Sequence, residues 1–339
     1  MLQCNGFIAM DTEFFRDKVV LVTGGTGTFG YAFVRRLLTT PVKKIIIFSR
    51  DEYKQHQMRQ AVADPEGRLR FFLGDIRDKE RLVRAFGGVD IVVHAAALKQ
   101  VPALEYNPNE AIKTNITGTQ NVIEAALDAG IEKVLVISSD KAVQPINLYG
   151  ATKLAAEKLT VAANAYRKGP ALGPRFSVMR YGNILGSRGS FLELIEKQRE
   201  TGTITLTDGR MTRFWIHIED IMDLVLEVLE GMHGGEIFVP KMESLLVVDV
   251  IHHAAPECKV VTVGIRPGEK LHEALITEHE SPRTLDIGTM YAILPEHLTE
   301  DMAPKINGTT VSRDFVFASD SPQFLRGRAD AARILVRAK

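Results

Sequence analysis

Residues 20–30 of the chain read VLVTGGTGTFG, an apolar run that passes directly into a glycine-rich segment. Gly24, Gly27 and Gly30 follow the spacing G-x-x-G-x-x-G. In such a segment the first glycine permits a tight turn, the second lets the backbone approach a pyrophosphate, and the third lets the next helix pack against the strand. The N–H groups at the start of that helix attract phosphate oxygens. The stretch therefore predicts a strand, a turn and a helix that bind a dinucleotide, the alternative being a glycine-rich turn without a ligand.

Apolar runs of similar length recur through the first half of the chain and alternate with segments of helical periodicity. The runs are VVLVTG (19–24), KIIIFSR (44–50), RFFLGD (70–75), DIVVHAA (90–96), KVLVISS (133–139) and RFSVMRYGN (175–183). The helical segments between them lie at 29–38, 79–86 and 107–129. Strands that are apolar on both faces and alternate with helices predict an α/β fold, a doubly wound parallel sheet of the Rossmann type.

The pattern divides the 339 residues into three predicted parts. Residues 1–10 are predicted to be a disordered extension, and residues 11–182 a dinucleotide-binding domain. Beyond them the elements become shorter and richer in Pro and Gly. Residues 183–339 are therefore predicted to form mainly a smaller α/β substrate-binding domain, partly interleaved with the sheet.

Composition argues against several classes of protein. The 42 Lys and Arg residues balance 42 Asp and Glu, so the net charge gives no support to nucleic-acid binding. No apolar run approaches the roughly 20 residues of a membrane helix. Two cysteines are too few for a disulfide framework, and the nine histidines lack metal-ligand spacing. We expect a cytoplasmic globular protein that binds neither nucleic acid nor a membrane and holds no metal.

The end of the second predicted strand bears on which dinucleotide binds. An acidic residue about 20 residues past the glycines commonly holds the 2′-hydroxyl of NAD. Here Ser49 and Arg50 occupy that end, and Lys54 follows. A guanidinium favours a 2′-phosphate, so NADP is predicted in preference to NAD, although Asp51 keeps NAD as the alternative. The other predicted cofactor contacts lie in the glycine loop and at neighbouring strand ends: Thr26, Thr28, Phe29, Asp75, Ile76, Ala95, Ala97 and Lys99.

Tyr149 and Lys153 stand four residues apart in LYGATKLAAEK (148–158), so a helix places them on one face. A lysine cation beside a phenol lowers the pKa of the phenol, and a bound nicotinamide cation would lower it further. The phenolate then takes a hydroxyl proton while hydride leaves the same carbon. Both residues are predicted to contact the cofactor as well. The alternative is a pair that faces solvent.

The fifth predicted strand ends in VISSDKAV (136–143), at the sheet edge where ligands bind. Ser139 is predicted to bond the reacting oxygen of a substrate. Asp140 and Lys141 add an acid and a base, which is more than the oxidation of an alcohol requires. The alternative for these residues is a polar loop without a chemical role.

Nine motifs spread over residues 14–280 together resemble the extended short-chain dehydrogenase/reductase family. They are TGGTGTFG, GDIRD, HAAALKQVP, KTNITGT, SSDKA, YGATK, RYGNILGSRGS, TRFWI and RPGEKLHE. Within that family the chain closely resembles the UDP-N-acetylglucosamine 4,6-dehydratases that invert C5, soluble enzymes of pseudaminic acid and capsule-sugar routes. SSDKA before YGATK and the late RPGEKLHE are the most distinctive motifs, whereas Gln100 stands where that family typically has His.

The resemblance implies a reaction in which Tyr149 removes the proton of the 4-hydroxyl and hydride passes to a tightly held NADP and back. Lys141 would remove the C5 proton, and Asp140 would protonate the departing 6-hydroxyl. It also implies a UDP-sugar substrate and a homo-oligomer, either a dimer or a hexamer. The substrate contacts that it implies are Lys99, Asn183, Arg188, Thr205, Arg213, Arg266 and Glu269.

Two further interpretations compete with the dehydratase. A UDP-hexose 4-epimerase shares the tyrosine and lysine but returns hydride to C4 and eliminates nothing. A catalytically silent NADP-binding sensor or scaffold would have the same fold, with a broken Y-x-x-x-K motif as its mark. That motif is intact here.

Overall fold

The computed structural model describes residues 12–166, 173–186, 191–296 and 306–336. Two sequence predictions lie outside the described residues: the disordered extension at 1–10 and the substrate contact at Arg188. The described strands, in chain order, are β1 (Val19–Thr23), β2 (Lys44–Ser49), β3 (Leu69–Leu73), β4 (Ile91–His94), β5 (Lys133–Ile137), β6 (Arg175–Met179), β7 (Asn183–Leu185), β8 (Thr203–Leu206), β9 (Thr212–His217), β10 (Ile237–Pro240), β11 (Glu243–Leu246), β12 (Lys259–Thr262), β13 (Ala274–Ile276), β14 (Thr284–Asp286), β15 (Met290–Ile293), β16 (Thr309–Thr310), β17 (Phe317–Ala318) and β18 (Leu325–Arg326).

The described α-helices connect these strands. In chain order they are α1 (Thr28–Leu37), α2 (Glu52–Ala61), α3 (Lys79–Ala85), α4 (Val101–Tyr106), α5 (Pro108–Ala111), α6 (Gly118–Ala129), α7 (Leu148–Ala162), α8 (Phe191–Arg199), α9 (Ile218–Gly231), α10 (Val247–Ala254) and α11 (Arg328–Val336). A π-helical segment, Ile112–Thr117, joins α5 to α6, and a 3-10 turn, Asp140–Ala142, precedes α7.

The largest sheet has the strand order β16-β14-β15-β10-β6-β5-β4-β1-β2-β3. Strands β1 to β6 and β10 pair in parallel throughout. Strands β15, β14 and β16 extend one edge in antiparallel pairing. Because strands joined by right-handed crossovers leave helices on both faces of a parallel sheet, this order confirms the predicted doubly wound α/β fold.

The centre of the sheet is fully buried, as its sequence predicts. Val20, Leu21 and Val22 of β1 are 0% exposed, and β2, β4 and β5 are buried over nearly their whole length. Each large aliphatic side chain buried in this way contributes roughly 1.5–3 kcal/mol relative to exposure. The parallel strands therefore form a rigid platform whose carboxyl ends share one edge.

The C-terminal half contributes to the large sheet and also forms a second one. Strand β10 enters the large sheet beside β6, and β14 to β16 follow it. A four-stranded sheet has the order β18-β11-β9-β7 and packs around a separate hydrophobic cluster that includes Trp215, Leu245 and Ile251. The boundary predicted at residue 182 falls between β6 and β7.

No helix in the described ranges is long and apolar enough to cross a membrane.

Candidate active site

The glycine loop after β1 forms a cradle in which added side chains would collide with the backbone. Gly24 has φ +66°, and a Cβ atom on it would lie 2.8 Å from the Ala96 backbone. On Gly30 a Cβ atom would lie 2.4 Å from the Cα atom of Gly25. Helix α1 starts after Gly27, which has no side chain to cap the helix. This close backbone approach fits the pyrophosphate of a dinucleotide.

A cleft of about 720 Å³ runs along the carboxyl ends of the parallel strands. That volume is typical of cofactor and ligand sites. Every cofactor contact predicted from the sequence lines it: Gly24, Thr26, Gly27, Thr28, Phe29, Gly30, Ser49, Arg50, Asp51, Lys54, Asp75, Ile76, Ala95, Ala97, Lys99, Tyr149 and Lys153. The structure thus brings predicted residues from the ends of β1, β2, β3 and β4 and from α7 to one cavity.

The basic residues after β2 are paired with carboxylates in this cleft. The side chain of Arg50 is 55% exposed, and its Nη1 lies 3.5 Å from Oδ2 of Asp75. Lys54 Nζ lies 3.0 Å from Oδ2 of Asp51. The backbone and side-chain hydrogen bonds of Lys54 lower the pKa of Asp51, which caps α2. The Asp51 carboxylate therefore caps α2 and pairs with Lys54, while the Arg50 guanidinium stays largely exposed at this end of the cleft.

Helix α7 positions Tyr149 and Lys153. Asn147 caps the helix by accepting a hydrogen bond from the Gly150 N–H at 2.8 Å. Lys153 is 6% exposed, and its Nζ donates to the Ile137 carbonyl at 2.5 Å. Burial lowers the pKa of Lys153 to about 8, against the opposing charge of Glu157. Lys153 is thus anchored to the end of β5.

The sequence predicts a lowered pKa for Tyr149, but the pKa of Tyr149 is raised. Burial raises the pKa of Tyr149, and Asp140 adds to that rise. Lys141 and a hydrogen bond with Ser139 oppose it but do not outweigh it. The cation that acts on the phenol is therefore Lys141, because Lys153 is directed towards the β5 carbonyl.

Beyond the end of β5, three consecutive residues form one hydrogen-bonded group: Ser139, Asp140 and Lys141. Ser139 Oγ donates to Oδ1 of Asp140 at 2.8 Å, and Lys141 Nζ donates to the same oxygen at 3.0 Å. Asp140 is 0% exposed, and its Oδ2 makes no hydrogen bond to any described residue. Ser139 and Lys141 line the cleft, whereas Asp140 lies behind them.

Glu273 also faces this group, although the sequence prediction did not assign it a role. Its Oε1 lies 3.5 Å from Lys141 Nζ, and its side chain is 3% exposed. Burial alone would lower the pKa of Lys141, but the charges of Asp140 and Glu273 outweigh it and raise that pKa. The one sequence signal for Glu273 is that it ends the distinctive motif RPGEKLHE (266–273).

The predicted substrate contacts separate into two groups. Lys99 and Asn183 line the cleft. Four others do not line it: Thr205, Arg213, Arg266 and Glu269. Thr205 is hydrogen-bonded to Gln198, and Arg266 is exposed beyond the cleft.

Arg213 is committed to the protein itself. Its guanidinium donates to the carbonyls of Leu271 at 3.0 Å and Lys270 at 2.8 Å, and the residue is only 7% exposed. Glu269 Oε1 lies 3.9 Å from the same guanidinium. In this structure Arg213 therefore holds the segment around residue 270 in place.

Several residues that the sequence prediction missed complete the wall of the cleft. Trp215 is 4% exposed and packs in the second hydrophobic cluster, yet it also lines the cleft beside Phe191. Thr114 comes from the π-helical segment. The other additions lie close in sequence to predicted residues: Phe48, Gly74, Ala96, Leu98, Gln100, Ile137, Ser138, Tyr181, Gly182 and Ile184. Within the described part of the chain, no three His, Cys, Asp or Glu side chains form a cluster that could hold a metal.

The sheet order, the glycine cradle and the Tyr149–Lys153 pair in one cleft define an enzyme of the extended short-chain dehydrogenase/reductase class. Comparison with known proteins makes this more specific. The chain belongs to the family described as polysaccharide biosynthesis protein, whose family model matches residues 20–295.

Two relatives of similar sequence are described as different enzymes. One from Campylobacter jejuni subsp. jejuni serotype O:2, described as UDP-N-acetylglucosamine 4,6-dehydratase (inverting), is 47% identical over 91% of this chain and 94% of the relative. One from Rickettsia akari, described as UDP-glucose 4-epimerase, is 41% identical over 82% of this chain and 83% of that protein.

Solved structures share the fold. Pen from Bacillus thuringiensis superimposes with a TM-score of 0.86 at 36% identity, covering 96% of this chain and 98% of that one. The dTDP-glucose 4,6-dehydratase DesIV from Streptomyces venezuelae, solved with NAD and TYD bound, gives a TM-score of 0.65 at 27% identity, covering 75% of this chain and 86% of that one.

Proposed function

We propose that the protein is an NADP-dependent UDP-N-acetylglucosamine 4,6-dehydratase that inverts C5 and yields a UDP-2-acetamido-2,6-dideoxy-hexos-4-ulose. The observation that carries this proposal is the Ser139–Asp140–Lys141 group beside Tyr149 in one cleft. The Campylobacter relative at 47% identity supports the substrate and the inversion.

A bound dinucleotide would supply a centre that takes up a hydride and returns it. The residues of the glycine cradle would hold its pyrophosphate, and Arg50 and Lys54 would hold a 2′-phosphate. Arg50 is the basis for proposing NADP rather than NAD, because a guanidinium makes forked hydrogen bonds to phosphate oxygens. The fit of the cleft to a dinucleotide is supported by the loop that a Cβ on Gly24 would obstruct.

Tyr149 accepts the proton of the 4-hydroxyl. Ser139 and the Lys141 charge favour the phenolate, whereas burial favours the phenol. Ser139 orients the reacting oxygen, and Lys153 supports the end of β5 from behind. Oxidation at C4 gives a ketone that makes the C5 hydrogen acidic.

Lys141 removes the C5 proton after it has given its own proton to a neighbouring carboxylate. Asp140 then supplies the proton that leaves with the 6-hydroxyl as water, and the C6–O bond breaks as a C5–C6 double bond forms. Because Asp140 is 0% exposed, its proton reaches the substrate through Lys141 or Ser139, the two cleft-lining groups hydrogen-bonded to it. The hydride taken from C4 would return to C6 of this double bond while C5 takes up a proton from the opposite face, which would invert C5 and give the 6-deoxy product.

The substrate lies in the part of the cleft lined by Lys99, Asn183 and the aromatic pair Phe191 and Trp215. Lys99 is partly buried beside Lys141, and burial lowers its pKa. A UDP group brought there places its negative charge beside Lys99. We also propose that Arg188, Thr205, Arg213, Arg266 and Glu269 contact the UDP. For Thr205 and Arg213 this requires the UDP to replace hydrogen bonds that they make within the protein.

We also propose the two-domain division at residue 182 and a homo-oligomer, a dimer or a hexamer. The division is supported by the second sheet, whose strands all follow that residue. Tyr106, 87% exposed, and Ile112, 42% exposed, offer apolar surface next to the helical stretch through α5 and α6. Light scattering coupled to size-exclusion chromatography measures the number of subunits.

Proton NMR of the reaction with UDP-N-acetylglucosamine in deuterated water tests the function. We expect a new methyl signal at C6, deuterium at C5 and the inverted C5 configuration. An isobaric hexose product would instead support the epimerase, to which the Rickettsia relative points. Unchanged substrate with bound cofactor would support the silent sensor. The Tyr149→Phe variant is the matched control, and full activity in it would overturn the mechanism.

A further inference from the structure

Glu273, from the C-terminal half of the chain, reaches the segment between β5 and α7, residues 138–147, here called the catalytic loop. The Lys141 ammonium lies between two carboxylates, 3.0 Å from Asp140 Oδ1 and 3.5 Å from Glu273 Oε1. We propose that Glu273 is a positioning residue that holds Lys141 beside Asp140 and sets the pH range in which Lys141 transfers protons. This inference rests on the proposed function, in which Lys141 is the proton-transfer group.

The backbone of Glu273 is held on both sides by one buried serine. The Glu273 N–H donates to Ser319 Oγ at 2.9 Å, and the Ser319 N–H donates to the Glu273 carbonyl at 2.7 Å. Ser319 is 0% exposed, and its hydroxyl also hydrogen-bonds to Thr212 of β9 at 2.7 Å. The Glu273 carboxylate therefore projects towards Lys141 from a rigid attachment.

The segment that leads to Glu273 is fastened to the catalytic loop by contacts that do not involve the Glu273 carboxylate. Asn147 Nδ2 donates to the Gly268 carbonyl at 2.7 Å, and Lys270 Nζ donates to the Val143 carbonyl at 2.5 Å. Gly268 has φ +77°, and a Cβ atom there would lie 3.1 Å from Asn147. These contacts keep the segment in place when the charge of Glu273 is removed.

Charged groups on every neighbouring element act on this pair. Glu273 faces three cations: Lys141, Lys270 at 3.5 Å and Arg213 at 3.9 Å. Glu273 Oε2 makes no hydrogen bond to any described residue, so its charge is available to these cations. Lys141 is acted on by Asp140, Glu273 and Arg213, and it acts in turn on Tyr149 of α7 and on Lys99.

When the Glu273 charge is lost, Lys141 keeps only one of the two carboxylates described above, that of Asp140. An opposite charge within 4–6 Å stabilises an ammonium, so its removal lowers the pKa of Lys141. The limb of the pH profile that reports Lys141 therefore moves to lower pH. A role for Glu273 in folding alone would reduce the rate without moving that limb.

The test compares pH profiles of kcat for the wild type, Glu273→Gln and Glu273→Asp with UDP-N-acetylglucosamine. We expect the Lys141 limb to move down by about one pH unit or more in E273Q and to stay near its wild-type position in E273D. Glu278→Gln, at an exposed position farther along the same segment, is the matched control and should leave the profile unchanged. A limb that stays in place in a folded E273Q overturns the proposal.

A second measurement needs no turnover and separates this proposal from the proposed function. The rate at which an amine-reactive reagent labels Lys141 is followed against pH by peptide mass spectrometry in wild type and E273Q. A lower midpoint in E273Q supports the role of Glu273 even if the wild type forms no dehydrated product. An equal midpoint overturns it even if the wild type does. If E273Q does not fold, Glu273→Ala, which also removes the negative charge beside Lys141, gives the same comparison.

Discussion

Lys141 and Tyr149 show how burial and charge compete at individual residues of this cleft. Burial raises the pKa of Tyr149, and the Lys141 charge opposes that rise. Burial would lower the pKa of Lys141, and the carboxylates of Asp140 and Glu273 reverse that effect. In the proposed mechanism each proton transfer therefore changes the next one, because neutral Lys141 no longer favours the phenolate. We therefore propose that Tyr149 acts while Lys141 is still charged.

Arg50, at the far end of the cleft, is the residue on which the proposed preference for NADP depends. Arg50→Ala removes the exposed guanidinium that we assign to the 2′-phosphate. A charge-assisted hydrogen bond contributes about 1.5–3 kcal/mol, so we expect NADP affinity to fall by roughly tenfold to a hundredfold. Affinity for NAD should change little. Titration calorimetry with both dinucleotides measures the ratio.

The matched control for this prediction is Arg35→Ala, which removes an exposed guanidinium from α1. It should leave both affinities unchanged. Equal losses of NADP and NAD affinity in the Arg50 variant would mean that the guanidinium contacts a part that the two dinucleotides share. In that case the proposed NADP preference has no basis at this residue.

At the scale of elements, the contact between the 3-10 turn at Asp140–Ala142 and the first turn of α7 decides the geometry of the site. A Cβ atom on Gly150 would lie 2.1 Å from the Lys141 carbonyl oxygen. The two elements touch backbone to backbone, so α7 carries Tyr149 directly against the loop that carries Lys141. Only glycine allows this approach.

Gly150→Ala should separate α7 from the catalytic loop. Misplacement of a catalytic group by about 1 Å costs about a hundredfold in rate, so we expect kcat to fall by at least that factor. Overpacking typically costs about 1–3 kcal/mol of stability. Steady-state kinetics and denaturant unfolding measure the two effects. Gly231→Ala, at the end of α9 where no described atom lies within 4 Å of the new Cβ, should behave like wild type. A fully active G150A would contradict the assigned contact.

Other elements show where sequence patterns fail. Helix α2 (EYKQHQMRQA) was not predicted, because only Gln55 and Met58 are buried and no apolar stripe marks the helix. The stretch predicted as one helix at 107–129 contains the π-helical segment Ile112–Thr117. Hydrophobic periodicity reports burial, so it does not detect an exposed polar helix or one extra residue in a turn.

At the scale of the whole molecule, Arg180 joins the parallel sheet to the C-terminal half. It is 2% exposed at the end of β6. Its guanidinium contacts Glu157 of α7 at 2.7 Å, Glu280 at 3.0 Å and the Leu275 carbonyl at 2.8 Å. Glu157 also accepts a hydrogen bond from Ser138, at the start of the catalytic loop. One buried cation thus connects three parts of the chain behind the cleft.

Arg180→Met should destabilise the protein by about 3–5 kcal/mol, because it leaves buried carboxylates without a partner. Burial raises the pKa of Glu280, but the Arg180 charge and hydrogen bonds outweigh burial, so that pKa is lowered overall. This carboxylate therefore stabilises the wild type above its unfolded-state pKa, and the contribution is lost as the pH falls through the folded-state pKa. Thermal and urea unfolding at several pH values measure both effects.

The control for Arg180 is Arg333→Met, which removes an exposed ion pair with Glu243 at 2.9 Å. Exposed pairs contribute about 0–1 kcal/mol, so its unfolding curve should almost coincide with that of the wild type. A loss as small as this in the Arg180 variant would show that the buried network does not hold the two halves together.

The sequence by itself determined the parallel sheet, the glycine cradle and the predicted cofactor contacts that line the cleft. These depend on local patterns: apolar runs, glycine spacing and the residues that end each strand, which a parallel sheet gathers at one edge. It also determined the family, through motifs that extend over most of the chain. The tertiary structure alone decided that Asp140 lies behind Lys141, that Arg213 is spent on backbone carbonyls and that Glu273 faces Lys141. Such contacts join residues distant in sequence, and burial and charge at each site depend on what the completed fold packs around it.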